Sequence, residues 1–160
     1  MSDMVNSPSH YCTKGRPECI ELINEIICGH NGLAAFCLGQ VKYLYRTGKK
    51  AESGMTQDKK AIEDVSKFLW YINHLISKIK NSSFEDLDKY IRQRAFVPEI
   101  RQHAIATEFA ADKEDYISER IYFIVLKLTN ITNISTYDMI KTDLEELIKL
   151  MEDKNGKNTN

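Results

Sequence analysis

Apolar residues recur along this chain every three to four positions, and the pattern predicts a succession of amphipathic helices. Pro17 suits a first helical turn, and Ile20, Ile23 and Ile27 follow at i, i+3 and i+7, with Leu22 and Ile26 widening the stripe. This helix should end by Gly29, where Gly29-His30-Asn31-Gly32 reads as a turn. A second helix is predicted over 33–47, with Ala34, Cys37, Val41, Leu44 and Tyr45 on its apolar face. A loop over 48–55 carries two glycines. Thr56 then caps the longest helix, which runs to about residue 80 on the stripe Ala61, Val65, Phe68, Ile72, Leu75, Ile76 and Ile79. Glu63, Asp64 and Lys67 read as lying off that stripe.

The second half follows the same rule. Ser83 and Asp86 have the spacing of a capping box and open a short helix to about residue 94. Pro98 starts another, to about 111. The acidic run 112–115 precedes a stripe of Ile117, Ile121, Ile124, Val125 and Leu128, which the β-branched run 129–135 ends. Ile140, Leu144, Leu147, Ile148 and Met151 define a last helix, and residues 153–160 should fray as a tail. The expected fold class is all-α, a compact helical domain of about six or seven helices. Residues 1–80 and 81–152 are expected to form one unit, the latter as a C-terminal extension.

Composition supports this picture. The chain has 160 residues, enough for one domain with a core, and only 7 Gly and 3 Pro, which favours long helices. Its net charge of −1 argues against nucleic acid as a partner. The charge is uneven: residues 1–80 hold 11 Lys/Arg and 8 Asp/Glu, residues 81–160 hold 11 and 15. No apolar run reaches the roughly 20 residues of a membrane span, and the opening MSDMVNSPSH is too polar for a signal peptide. A cytoplasmic location with no membrane partner is expected, and reduced cysteines with it. His10-x-Cys12 and Cys28-x-His30 could gather around zinc, but ligand pairs one residue apart are unusual, so no metal is expected there.

The chemistry concentrates in Gly39 to Lys50. Lys42, Arg46, Lys49 and Lys50 stand at i, i+4, i+7 and i+8, so one helix would set them along one face, with Tyr43 and Tyr45 between them. Gly48 suits the left-handed position that ends such a helix. Arg46 could grip a phosphate through two N–H bonds, with the lysines as point charges. The competing reading is a solvated basic face. The stretch is not a P-loop, because Tyr43 stands where that loop needs glycine. His10 and Tyr11 could add a phosphate donor and a stacking ring, and Trp70-Tyr71 could stack on a base or serve the core. Glu63 and Asp64 could hold magnesium, although an ion-pair face with Lys67 is the simpler reading. Glu18, Glu21 and Glu25 form an acidic row like that of helical pyrophosphohydrolases, without the second acidic pair nearby. No nucleophile signature is present.

Together these residues resemble the SaV-like family of small phage proteins over about residues 5–80. Asn6, Pro8, His10-Tyr11, Gly15 and Glu18-Cys19-Ile20 resemble its opening. Gly39, Lys42-Tyr43-Leu44, Arg46 and Gly48-Lys49-Lys50 resemble its central motif, and Asp64, Lys67 and Trp70-Tyr71 its closing helix. Gln40 replaces the usual Asn and Phe68 the usual Ala. The resemblance implies residence in an infected bacterial cell and a nucleotide ligand. One branch of the family is a phage nucleotide kinase, and small phage oligomers with nucleotide pockets include sponges for bacterial immune signals. The expectation is therefore a nucleotide-sequestering homo-oligomer that needs no cofactor. Its ligand would be a cyclic ADP-ribose variant or a cyclic dinucleotide, held by His10, Tyr11, Lys42, Tyr43, Arg46, Lys49 and Lys50. The alternative is a nucleoside monophosphate kinase with magnesium at Glu63 and Asp64.

Overall fold

Seven α-helices and one 3-10 turn make up the described residues of the computed structural model, which are 11, 14–49, 52–93 and 97–157. The helices are α1 (Cys19–Ile27), α2 (Gly32–Gly39), α3 (Lys42–Arg46), α4 (Gln57–Lys80), α5 (Glu99–Ala110), α6 (Asp115–Leu128) and α7 (Ser135–Lys157). No strand occurs among the described residues, as the all-α expectation requires. No described helix is long and apolar enough to cross a membrane.

The predicted helix over 33–47 is two helices. The chain leaves α2 at Gly39, a poor helix former, and tightens to three-residue bonding: Val41 N–H donates to Leu38 O (3.0 Å), and Tyr43 N–H to Gln40 O (3.1 Å). α3 then lasts only to Arg46. Lys49 N–H donates to Arg46 O (2.8 Å) across Thr47 (φ −49°, ψ 124°) and Gly48 (φ +76°), which is type II turn geometry. Lys49 therefore leaves the helical face that its spacing predicted.

Two other expectations change. The short helix after Ser83 is a 3-10 turn over Phe84–Tyr90. Ser83 Oγ donates to the Asp86 carboxylate (2.9 Å), so the two side chains satisfy each other instead of capping backbone N–H groups. At the other end, α7 continues to Lys157, so residues 153–157 of the expected tail are helical. Thr56 caps α4 as expected, its side chain accepting from Lys59 N–H (3.3 Å).

One continuous apolar core draws on all seven helices. α4 lies along α7, α5 pairs with α6, and α6 also packs on α7. α1 packs on α2 and on α3, α2 and α3 also lie against α4, and α3 touches α5. Polar contacts tie the second half to the first. Arg92 donates to the backbone carbonyls of Ile26 (2.6 Å) and Cys28 at the end of α1, where a helix leaves carbonyls without partners. Arg101 pairs with Glu25, and Glu21 accepts from Glu18 N–H (2.9 Å), so two carboxylates of the α1 acidic row serve structure.

Candidate functional site

Tyr43 on α3 is a meeting point for cations. Arg46 Cζ stands 4.6 Å from its ring centroid, Lys42 Nζ 5.5 Å and Lys67 Nζ of α4 5.9 Å. Lys42 and Arg46 share this side of α3 because they are one helical turn apart. The ring is stacked with Tyr71 (centroids 6.4 Å, planes 15° apart). Tyr71 meets Phe36 of α2 edge-on at 6.0 Å and Trp70 at 4.9 Å, and Trp70 lies parallel to His74 at 5.6 Å. Lys67, Trp70, Tyr71 and His74 stand at i, i+3, i+4 and i+7, which gathers them on one face of α4. The row ends in open surface: Phe36 is 59% exposed and Trp70 61%.

Beneath this row lies a buried ion pair. Arg46 is 8% exposed and Asp64 1%. Arg46 donates to Asp64 Oδ1 from Nε (3.0 Å) and Nη2 (2.6 Å), and from Nη1 to the Tyr11 hydroxyl (3.3 Å). Burial alone would lower the Arg46 pKa, but the Asp64 carboxylate outweighs it and raises the value. Burial raises the Tyr11 pKa against the opposing pull of Arg46. A guanidinium has five N–H donors, and three are engaged here. One N–H on each terminal nitrogen is left.

Asp64 was expected off the apolar stripe of its helix, yet it is part of the interior. Position 64 is three residues after Ala61 and four before Phe68, both buried, so the helix turns it inward. Glu63 points elsewhere: its Oε1 accepts from Lys60 (3.0 Å) and Lys67. Hydrogen bonds from Lys67 and then Lys60 hold the Glu63 pKa down at about 2. Lys60, 2% exposed, also pairs with Glu52 (2.7 Å), and that contact foremost raises it to about 12. The two carboxylates expected to share magnesium thus serve separate ion pairs, and no group of three metal-ligating side chains occurs among the described residues.

Of the residues expected to hold a ligand, Tyr11, Lys42, Tyr43 and Arg46 come together. Lys49 is set apart, with Nζ 4.1 Å from the Tyr45 ring centroid instead. His10 and Lys50, and Cys12 of the zinc alternative, lie outside the described residues. His30 of that alternative is buried, with neither ring nitrogen hydrogen-bonded. Burial, then Arg92, lowers its pKa to about 4. Sequence reasoning missed Phe36, and it took Lys67 as an ion-pair partner and a residue of the family motif, not as a ligand contact. The i, i+3, i+4 spacing of Lys67 with Trp70 and Tyr71 was the available signal for Lys67.

Residues 5–73 match a family described as a protein of unknown function, DUF3310. The matched segment holds Tyr11, α1 to α3 and the part of α4 that carries Asp64, Lys67, Trp70 and Tyr71, and it ends before α5. Neither a curated protein nor a solved structure matches the chain.

Proposed function

We propose that the Tyr43 surface binds a phosphorylated nucleotide and sequesters it. The observation that carries this reading is the convergence of Lys42, Arg46 and Lys67 on a single ring that continues into exposed aromatic surface. A base has a π-face for Trp70 or Phe36, and its phosphate has acceptors for Lys42, Lys67 and the two remaining Arg46 N–H groups. Asp64, Tyr11 and Tyr43 hold the guanidinium in place, which lowers the entropy cost of ordering it around a ligand. Sequestration is favoured over phosphoryl transfer because Glu63 and Asp64, the carboxylates a kinase would offer to magnesium, are engaged with Lys60, Lys67 and Arg46.

The SaV-like resemblance lies in the same segment and suggests the ligand's origin. On that reading it is a nucleotide immune signal of an infected bacterium, of the cyclic ADP-ribose or cyclic dinucleotide type. A homo-oligomer would close the open face at Phe36 and Trp70 over it, and sedimentation with and without ligand tests that assembly. The test of function is to incubate the protein with candidate nucleotides with and without magnesium, denature it, and chromatograph what is released. Intact nucleotide is the expected product. A new diphosphate that forms only with magnesium would replace sequestration with the kinase alternative, and failure to retain any nucleotide would remove both.

A further inference from the structure

A second group of cations lies around Tyr45, two positions along α3 and thus on the opposite side from Tyr43. Tyr45 is fully buried, edge-on to Phe109 of α5 at 5.3 Å. Lys49 emerges from the Gly48 turn with Nζ 4.1 Å from the Tyr45 ring centroid. Lys113, from the turn between α5 and α6, places Nζ 5.9 Å from the same centroid and donates to Tyr45 O at 3.0 Å. Asp112 just before it has φ +60°, a left-handed conformation that aspartate tolerates better than most residues. The chain reverses there, and Lys113 returns to α3. Arg16 completes the group and pairs with Glu108 (2.8 Å) and Asp112 (2.5 Å).

The hydrogen bonding here is unequal. Both carboxylates are engaged by Arg16. Lys113 has only a neutral carbonyl, and the buried Lys49 Nζ has no hydrogen-bond acceptor. A buried ammonium without an acceptor is unfavourable, and the Tyr45 ring offsets this only in part. The titratable groups facing the two lysines are Arg16, the Cys19 thiol of α1, Glu108 of α5 and Asp112. Burial first, then neighbouring cations, lowers both lysines: Lys49 through Arg16, and Lys113 through Lys49 to about 7.

We propose that Lys49 and Lys113 form an oxyanion site that takes a phosphate-type group between their ammonium groups, separate from the Tyr43 surface. Such a group supplies the acceptors the lysines lack and replaces their mutual repulsion with attraction to a shared anion. Lys113 lies beyond residue 73, so the site joins the DUF3310-matched segment to the C-terminal half and gives that half a part in binding. Bound anion raises the Lys113 pKa above its resting value of about 7. Binding at about pH 8 therefore takes up a proton, whereas at about pH 6 the lysine is already charged.

The test is calorimetric titration of the full chain with pyrophosphate at these two pH values, in buffers of different ionisation enthalpy. Saturable binding is expected, with uptake of up to about one proton at the higher pH. Lys49→Met and Lys113→Met should each weaken binding by about tenfold or more, and Lys113→Met should abolish the uptake. Methionine keeps the apolar stem and loses the charge, so thermal midpoints should hold or rise, and Lys113→Gln serves as a second variant. Lys141→Met on α7, where the lysine pairs with Glu145, should leave pyrophosphate binding unchanged. The proposal is overturned if pyrophosphate does not bind, if both lysine variants bind it as the wild type does, or if Lys141→Met weakens it equally. Competition by a nucleoside diphosphate would identify a nucleotide as the source of the phosphate, and its absence would assign the site to free phosphate; either result leaves the site standing. Nucleotide retention at the Tyr43 surface is read separately, through Trp70, so failure of one site is distinguishable from failure of the other.

Discussion

Arg46 directs two N–H donors, Nε at 3.0 Å and Nη2 at 2.6 Å, to the same oxygen of Asp64, Oδ1. The other carboxylate oxygen, Oδ2, is buried without a hydrogen-bond partner. The pair joins α3 to α4 and fixes the guanidinium on the Tyr43 ring. Removing one member leaves the other's charge buried and unpaired, so Arg46→Met and Asp64→Leu should each destabilise the protein by about 3–5 kcal/mol. The double variant should recover most of that loss, because apolar side chains of similar volume can replace a buried ion pair. Urea unfolding of the four proteins measures this coupling, and strictly additive losses would mean the pair is not an energetic unit.

Trp70 is the single tryptophan of the chain and is mostly exposed. Trp70→Ala should leave the thermal midpoint nearly unchanged. The same change should weaken nucleotide binding by about 1–3 kcal/mol if a base stacks there. Calorimetry on both proteins checks the pair of outcomes.

Gly48 is held at φ +76°, and a Cβ added there would meet nothing within 4 Å. Gly48→Ala should therefore cost about 1–2 kcal/mol through backbone strain alone. Thermal unfolding measures the loss. Because the same turn places Lys49, pyrophosphate binding should weaken alongside stability.

His30 is buried and neutral, with its pKa lowered from 6.5 to about 4 by burial and then Arg92. The native state thus binds fewer protons than the unfolded chain between these values. Stability should fall as pH drops from about 6.5 to about 4, with a total contribution of about 3 kcal/mol. His30→Leu should remove this component. Urea midpoints of both proteins at pH 7 and pH 5 give the comparison, and an equal pH slope in the two would contradict it.

Much of the helical framework was legible because its causes are local. The Ala61-to-Ile79 stripe and the Thr56 cap place α4, and Pro98 places the start of α5. The division of the second helix was not, since Gly39 is tolerated within many helices and the tightened bonding at Gln40-Val41 depends on how α2 and α3 pack. Asp64 was legible and misread: its register put it on the stripe, and its charge suggested otherwise. Burial of Arg46 could not be inferred without that correction. The meeting of Lys49 with Lys113 joins positions 64 residues apart, with no local pattern to announce it.

The central claim is that the Tyr43 surface holds a phosphorylated nucleotide through its base and its phosphate together. Trp70 fluorescence tests this most directly, in parallel titrations with a nucleotide and its unphosphorylated nucleoside. Saturable quenching by the nucleotide, much weaker quenching by the nucleoside, and a loss of that difference in Lys42→Ala and Lys67→Ala is the predicted result. No saturable response to any nucleotide, or equal responses to nucleotide and nucleoside, would contradict it.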